Sequence, residues 1–399
     1  MIVTVSNLYP RPDEPQRGLF NAQQFRALAD LLAEGHGGAG AGEDLVNLCL
    51  VPEWRLWRWP AIRRWRDPFQ DRFETRYVSA FYVPVLGRNA TWRSYRRALR
   101  AQSDRLAAGR AILATWLYPD GVAAEAVGRA LGRPVWLKAH GTDRFHLQAP
   151  GRGARTAAAC RRAAGVVCVS RQLAEALRAA GVGAERVHVV PNGVDTDLFR
   201  WRPQAQTRES LPEARALGGR RLALFVGHLT SVKGPDLLLA AWGSGGATGA
   251  GAHLAVIGDG PLHRRLERQA RRAGLAGTVS FLGSRPHREV ALWMNAADCL
   301  CLSSRSEGMP NVLLEALASG LPIAAAEVGA CRELLDGEPL ARLAPAGDVA
   351  ALGRALRELS GAAAAAREAM SARHRAARSW RESAARLLAV VRGTAGGGR

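Results

Sequence analysis

The sequence predicts an α/β protein of two doubly wound, Rossmann-like domains facing across a cleft, and three observations carry this. Short apolar runs rich in Val, Ile and Leu recur along the chain, as strands buried on both faces of a parallel sheet require. Helical patterns alternate with these runs, the mark of βαβ units. The alternation lapses once, in a polar Gln- and Arg-rich stretch at 201–218, and then restarts. A chain of 399 residues has room for two sizeable cores.

In chain order, strands are expected at 2–6, 45–51, 77–83, 111–115, 135–139, 166–170 and 187–190. Helices between them are expected at 21–34, 121–131 and 171–180. The second series places strands at 222–226, 253–257, 279–282, 299–302 and 322–325. The Gly/Ala tracts 35–42 and 243–252 read as flexible surface loops. An Ala- and Arg-rich helical pattern fills 354–392, and the tail 393–399 is expected to fray. The domains are expected at 1–200 and 219–375, with a linker at 201–218 and a C-terminal helix over 376–392 packing back on the first domain. Such folds bind ligands at the carboxyl ends of their strands, so a pair of them would bind in the cleft between.

With 48% apolar and 23% charged residues, the composition is that of an ordinary globular chain. The net charge is +20, and Lys138 and Lys233 are the only lysines. In so Arg-rich a chain, a lysine is informative. The charge is spread, with 29 basic and 18 acidic residues in 1–200 and 26 and 17 in 201–399. No nucleic-acid-binding module is recognisable, so no nucleic-acid partner is expected. Cys49, Cys160, Cys168, Cys299, Cys301 and Cys331 form no C-x-x-C pair and read as buried free thiols in a reducing compartment. The N-terminus lacks a basic region ahead of a long apolar stretch, and no run of about 18 apolar residues occurs. Neither a secretory leader nor a transmembrane helix is expected.

The densest motif runs from Ser303 to Glu315, directly after the strand at 299–302. Pro310 suits the first position of a helix. The loop 307–311 would then aim free backbone N–H groups and a positive helix end at a ligand, a setting that favours phosphate. Glu307 and Glu315 could both face one pocket and accept hydrogen bonds from sugar hydroxyls. Two isolated glutamates are as well explained by a capped helix with solvated carboxylates. The Gly-x-Pro-Asn loop between them favours a ligand.

The run Glu-Gly-x-Pro-Asn-Val-x-x-Glu-Ala, from Glu307 to Ala316, resembles the signature of the retaining GT-B glycosyltransferases of family 4. Further matches follow in order: Leu224-Phe225-Val226-Gly227-His228-Leu229 with Lys233-Gly234, Val256-Ile257-Gly258-Asp259-Gly260-Pro261, Phe281-Leu282-Gly283, Ala297-Asp298 and Ala318-Ser319-Gly320-Leu321-Pro322. The N-terminal half adds Tyr118-Pro119-Asp120-Gly121, His140-Gly141-Thr142-Asp143, Val169-Ser170 and Pro191-Asn192-Gly193-Val194-Asp195. Tyr9-Pro10, Arg17-Gly18-Leu19-Phe20 and Pro119-Asp120-Gly121 look most like bacterial cell-surface polysaccharide enzymes. The resemblance covers most of 1–345.

It implies an N-terminal acceptor-side domain and a C-terminal domain that binds a nucleotide-sugar donor. Glu315 would hold the ribose hydroxyls and Glu307 the donor sugar. Backbone N–H groups around Gly308, Met309, Pro310 and Asn311 would meet the sugar and diphosphate. Lys233 would neutralise the diphosphate as a compact charge. His140 would point at the donor sugar near the reacting carbon, and Gly18 would let the chain approach the ligand closely. Retention, independence of metal and cofactor, and a glycan or lipid-linked acceptor are likewise implied. Some positions depart from the family. His228 stands where Arg is usual, Met309 replaces a common Phe, Gly18 stands without a second glycine, and the segment 336–345 lacks a usual Gly. An imidazole at position 228 would carry only part of a charge at neutral pH. A non-catalytic sugar-nucleotide-binding relative and a sugar-nucleotide epimerase stay open as alternatives.

One further segment, 54–66, interleaves Trp54, Trp57, Trp59 and Trp65 with Arg55, Arg58, Arg63, Arg64 and Arg66. Trp prefers the headgroup level of a bilayer, and basic residues are drawn to anionic lipid. The segment is too short and charged to span, so a peripheral site on the inner face of the cell membrane is expected, in an otherwise cytoplasmic protein. An Arg/Trp-rich connection packed on its own domain is the competing reading.

Overall fold

The computed structural model describes residues 1–34, 44–69, 71–82, 89–244, 251–359 and 361–393. The tract 35–42, most of the tract 243–252 and residues 394–399 of the tail lie outside them. The chain forms two compact units, Met1–Asn192 with Trp380–Arg399, and Gly193–Ser379.

The first unit holds β1 (Ile2–Ser6), β2 (Leu45–Pro52), β3 (Glu74–Ala80), β4 (Ala111–Ala114), β5 (Val135–Ala139), β6 (Gly165–Cys168) and β7 (Val187–Val189). They form one parallel sheet in the order β3-β2-β1-β4-β5-β6-β7. Val3 pairs with Val46 on one side and Ile112 on the other, so the strand order reverses at β1. Every residue of β1, β4, β5 and β6 is buried, which is why these strands read as largely apolar runs, interrupted by Thr4 and Ser6 in β1 and by Lys138 in β5. β3 begins three residues ahead of its expected start. It is an edge strand, so polar Glu74, Thr75 and Arg76 can join the ladder with one side open to water.

The second unit holds β8 (Arg221–Val226), β9 (Ala252–Ile257), β10 (Val279–Gly283), β11 (Cys299–Leu302), β12 (Ile323–Ala326) and β13 (Ala341–Ala344), parallel in the order β10-β9-β8-β11-β12-β13. β13 was not expected. Its four residues Ala-Arg-Leu-Ala carry little pattern, and it gains its place by pairing with β12.

The stretch expected as a linker is folded. It forms helices Gln204–Ser210 and Pro212–Ala216. Its polar side chains serve the neighbouring helix His287–Ala296: Gln204 Nε2 and Arg208 Nε donate to the Ala296 carbonyl, and Arg208 also pairs with Asp298 at 2.8 Å. Polarity here is C-terminal capping, not solvation.

The long C-terminal pattern breaks into helices Val349–Glu358, Ala364–Ala377 and Trp380–Val391. The first two belong to the second unit, where buried Arg367 donates to the Gly320 carbonyl at 2.9 Å. The chain turns at Arg378, whose carbonyl accepts from the Val194 N–H. Only then does the last helix begin, four residues later than expected. It lies on helix Leu19–Glu34 of the first unit. Ala384, Leu387, Leu388 and Val390 share its core with Phe25, Leu28 and Leu32, and Arg381 pairs with Glu34 at 2.7 Å. All six cysteines are buried, and burial pushes the Cys49 thiol up to about 12.

Leu387 is fully buried in this helix. We expect Leu387→Ala to cost about 2–5 kcal/mol of stability, as other buried leucine truncations do. Urea unfolding followed by circular dichroism measures it.

Candidate active site

In the second unit the sequence-predicted residues gather on the loops after β8 and β11. Lys233 ends a short turn after β8, and its Nζ donates to both Glu307 oxygens, at 2.7 and 2.9 Å. Ser304 Oγ donates to Glu307 Oε1 at 2.6 Å. Glu307 is largely buried, with 7% of its side chain exposed, against 32% for Lys233. The ammonium is therefore the more accessible partner. Gly234 makes this pairing possible. Its φ is +59°, and a Cβ there would fall 2.1 Å from the Ser303 carbonyl oxygen. No larger residue fits between the two loops. A second buttress comes from Gly329, where a Cβ would sit 2.4 Å from the Glu307 carbonyl oxygen. The neighbouring Ala330 N–H donates to Gly308 O at 2.8 Å.

Helix Asn311–Ala318 starts one residue later than expected, with Pro310 as its N-cap and no side chain capping it. Met309 is buried beneath the loop. Glu315, on the second turn, is half-buried. Burial raises its carboxyl and the His287 imidazole lowers it in part. No protein hydrogen bond reaches the Glu315 carboxylate among the described residues, so both oxygens can accept from a ligand.

His228 is exposed in the loop after β8, and it adds a small effect to the Gly260 N–H and His263, which lower the Asp259 carboxyl. Arg305, in the loop after β11, is engaged, pairing with Asp236 at 2.6 Å and donating to the Ser231 carbonyl. One Asp-x-Asp occurs, Asp195-Thr196-Asp197, but Asp195 Oδ1 already accepts from the N–H groups of Asp197 and Leu198. Among the described residues no three His, Cys, Asp or Glu side chains converge as a metal site.

In the first unit His140 follows β5 and is buried between rings. It stacks on Trp116 at 4.9 Å and meets Phe20 at 5.1 Å. Asp143, three residues on, accepts from the N–H groups of His140 and Leu117 at 2.8 and 3.0 Å, which fixes the turn. His140 Nε2 is buried with no partner. Burial, reinforced by the nearby Lys138 charge, holds the imidazole well below its usual pKa, so it is neutral. Gly18 has φ +60°, and a Cβ there would clash with the Leu8 carbonyl oxygen at 2.3 Å. The close approach it permits is to its own chain.

Several polar groups around His140 were not singled out as site residues from the sequence. Lys138 is fully buried, its Nζ donating to Gln24 Oε1 at 2.6 Å and Asn192 Oδ1 at 3.1 Å. Gln24 donates to Ser383 Oγ, and Ser383 to the Pro191 carbonyl, so the network ties β5 to the last helix. Burial lowers Lys138 to about 7, and burial raises Asp120 to about 7 and Asp143 to about 8. Lysine rarity was the one sequence signal for Lys138. Asp143 was legible only within the His-Gly-Thr-Asp motif.

The Trp/Arg segment divides. Trp54 and Trp57 are 51% and 72% exposed and pack edge-to-face, beside exposed Leu56. Trp59 is half-buried and donates to the Glu53 carbonyl. Glu53 binds Arg55 at 2.8 Å and Arg58 at 2.9 Å, and the Arg55 hydrogen bond takes its carboxyl down to about 2. Arg63, Arg64 and Arg66 are exposed and make no ion pair among the described residues.

Two doubly wound units, each with polar groups at the carboxyl ends of its strands, give the chain the GT-B fold. Both halves match glycosyltransferase family models. Residues 54–198 match "Glycosyltransferase Family 4" and residues 220–361 match "Glycosyl transferases group 1". The chain is 28% identical over 348 residues to Bacillus subtilis TuaC, named for teichuronic acid biosynthesis, covering 84% of this chain and 82% of that protein. It is 36% identical over 175 residues to the 2-deoxystreptamine N-acetyl-D-glucosaminyltransferase of Streptomyces fradiae, 42% of this chain and 40% of that protein. Over the relatives above 30% identity, the match spans from 32% to 56% of their length. The crystal structure of Anabaena HepE in complex with UDP-glucose superposes with a TM-score of 0.73 at 17% identity, over 98% of this chain and all of that one.

The buried Lys138 gives a pH signature. An unfolded lysine keeps its proton to about 10.4, so between about 7 and 10 the unfolded chain binds a proton that the folded chain has lost. Stability attributable to Lys138 therefore rises with pH across that window. Asp120 and Asp143 act oppositely between about 4 and 8, where the folded chain holds protons the unfolded chain has released. We expect the difference in urea stability, wild type minus Lys138→Met, to increase from pH 7 to pH 9. A flat difference would show that the lysine stays protonated in the fold.

Proposed function

We propose that this protein transfers a sugar from a nucleoside diphosphate sugar to a glycan or lipid-linked acceptor with retention of configuration, in cell-surface polysaccharide assembly. The observation that carries this is the donor loop. The Lys233 ammonium, the N-terminus of helix Asn311–Ala318 and the carboxylate of Glu315 lie on the segments that follow β8 and β11. A nucleoside diphosphate sugar offers the matching groups in one molecule: ribose hydroxyls, a diphosphate and a sugar. The likeness to HepE, whose structure holds UDP-glucose, supports a UDP-sugar donor, and the likeness to TuaC supports the pathway class.

The reaction breaks the bond from the anomeric carbon to the diphosphate oxygen. Positive charge grows on the sugar and negative charge on the departing diphosphate. Lys233 and the helix N-terminus, fixed before the reaction begins, stabilise the leaving group. Glu307 holds Lys233 in place and offers its carboxylate to sugar hydroxyls. His140 contributes an uncharged imidazole with an unpartnered Nε2, suited to a hydrogen bond with a sugar hydroxyl. Glu315 accepts from ribose in charge-assisted bonds.

Replacing Lys233 with Ala should lower turnover about 100-fold or more, about 3 kcal/mol of transition-state stabilisation. Glu315→Ala should mainly weaken UDP-glucose binding, read by calorimetric titration. Near-normal binding and UDP release in both variants would place the donor elsewhere.

A membrane surface is the proposed setting for a lipid-linked acceptor. Trp54, Leu56 and Trp57 are exposed, and Arg63, Arg64 and Arg66, a few residues on in sequence, are exposed without an ion pair among the described residues. Among the described residues no helix is long and apolar enough to cross a membrane, so contact would be interfacial. The chain should co-sediment with anionic vesicles and not with neutral ones or at high salt. Trp54→Ala with Trp57→Ala, or Arg63, Arg64 and Arg66 to Gln, should reduce recovery in the pellet. Equal recovery with and without anionic lipid would sink the idea.

A further inference from the structure

The first unit carries a second group of arginines without ion pairs among the described residues. Helix Thr91–Arg100 presents Trp92, and three guanidinium groups gather at its ring: Arg93 at 5.9 Å, Arg96 at 5.1 Å and Arg155 at 5.0 Å. A fourth, Arg152, lies 5.7 Å from the ring of Tyr118. Arg152 and Arg155 come from the start of helix Gly153–Arg162 and the residue before it. Arg152 Nη1 lies 3.3 Å from His146 Nδ1, and Arg152 Nε is buried with no partner. Among the described residues none of these four arginines makes an ion pair. Glu125, on helix Val122–Ala130 that packs against both of these helices, is already occupied, holding Arg162 at 2.8 Å and Arg129 at 3.2 Å.

Four permanent positive charges thus lie against two aromatic rings and make no ion pair among the described residues. Arg93 and Arg96 donate to no protein acceptor among the described residues, Arg155 Nη1 donates to the Gly151 carbonyl at 3.4 Å, and the remaining guanidinium N–H groups are of the kind that grip phosphate oxygens in pairs. Such an arrangement is costly alone and is relieved by a multivalent anion. The cluster is also placed for chemistry. Tyr118 lies just after β4 at the carboxyl end of the sheet, two residues from Trp116, which stacks on His140.

We propose that Arg93, Arg96, Arg152 and Arg155, mounted on Trp92 and Tyr118, form a subsite for a phosphate or diphosphate group of the acceptor. This rests on the reading of His140 and its surroundings as the acceptor side of a glycosyl transfer. Four guanidinium groups suit a dianion or a diphosphate better than a lone carboxylate. A soluble sugar phosphate and a lipid diphosphate share that chemistry.

The test is calorimetric titration of inorganic pyrophosphate into the full chain carrying Lys233→Ala, which weakens any competing binding at the donor loop. One pyrophosphate should bind, and Arg96→Gln with Arg155→Gln should weaken it by about ten-fold or more. Trp92→Leu keeps every charge but removes the ring that three of them lie against, and should also weaken binding. Arg264→Gln with Arg265→Gln, two exposed arginines of the second unit, changes net charge equally and should leave it intact. Displacement by farnesyl diphosphate but not by glucose 1-phosphate assigns a lipid-linked source, and the reverse a soluble one. Pyrophosphate affinity unchanged in the Arg96/Arg155 variant, or lowered as much by the Arg264/Arg265 variant, overturns the subsite. Unchanged thermal melting of the variants confirms that they fold. UDP-glucose binding by the wild-type chain is a separate reading, so failure of the transferase function and failure of this subsite are told apart.

Discussion

The donor loop depends on one backbone contact. Gly234 turns in the left-handed region against the Ser303 carbonyl, and that contact binds the loop after β8 to the loop after β11. With the two loops in register, Lys233 reaches Glu307, Ser304 reaches the same carboxylate, and Arg305 closes the bracket on Asp236. None of these pairs would be worth much as an isolated surface ion pair. Their value lies in geometry. An ammonium held beside a helix N-terminus needs little rearrangement when negative charge develops in front of it.

The first unit solves a different problem. Its sheet is largely apolar at the centre, yet Lys138, His140, Asp120 and Asp143 are buried at or near its carboxyl edge. Three of them have specific donors or acceptors, amide oxygens for Lys138 and backbone N–H groups for Asp120 and Asp143, while His140 is held between aromatic rings. Burial then pushes all four toward their neutral forms. The result is a polar site of low charge behind His140, with concentrated positive charge a short way off at Trp92. On the proposed reading, one unit offers both an uncharged contact for sugar hydroxyls and a charged one for an anion.

Most of the framework was legible because parallel strands buried on both faces leave a largely apolar trace. β1, β5 and β11 begin and end where the sequence pattern places them. The pattern failed where tertiary pairing outweighed it. β3 accepts Glu74 and Arg76 because it is an edge, and β13 is too short to show any period. The stretch 201–218 reads as a linker because its polar side chains bond to another helix, which no local pattern reveals. The donor residues were legible through a contiguous motif. The groups that position them, Ser304 and Gly329, carry no signal of their own. The arginines on Trp92 were hidden in a chain with 55 basic residues, since only the fold separates paired from unpaired charge.

The return of helix Trp380–Val391 to the first unit sets an order of assembly. A ribosome releases residues up to Asn192 and then the whole of Gly193–Ser379 before it releases the segment that covers Phe25 and Leu28. At typical rates of about 5–20 residues per second, that interval is on the order of 10–40 s. Throughout it the nascent first unit shows a greasy stripe along helix Leu19–Glu34, and Gln24 lacks Ser383. The second unit has no such wait, since both ends of its sequence emerge before the last helix does. Maturation of the first unit is thus tied to completion of the second, and chaperone attention during synthesis falls on the part that was made first.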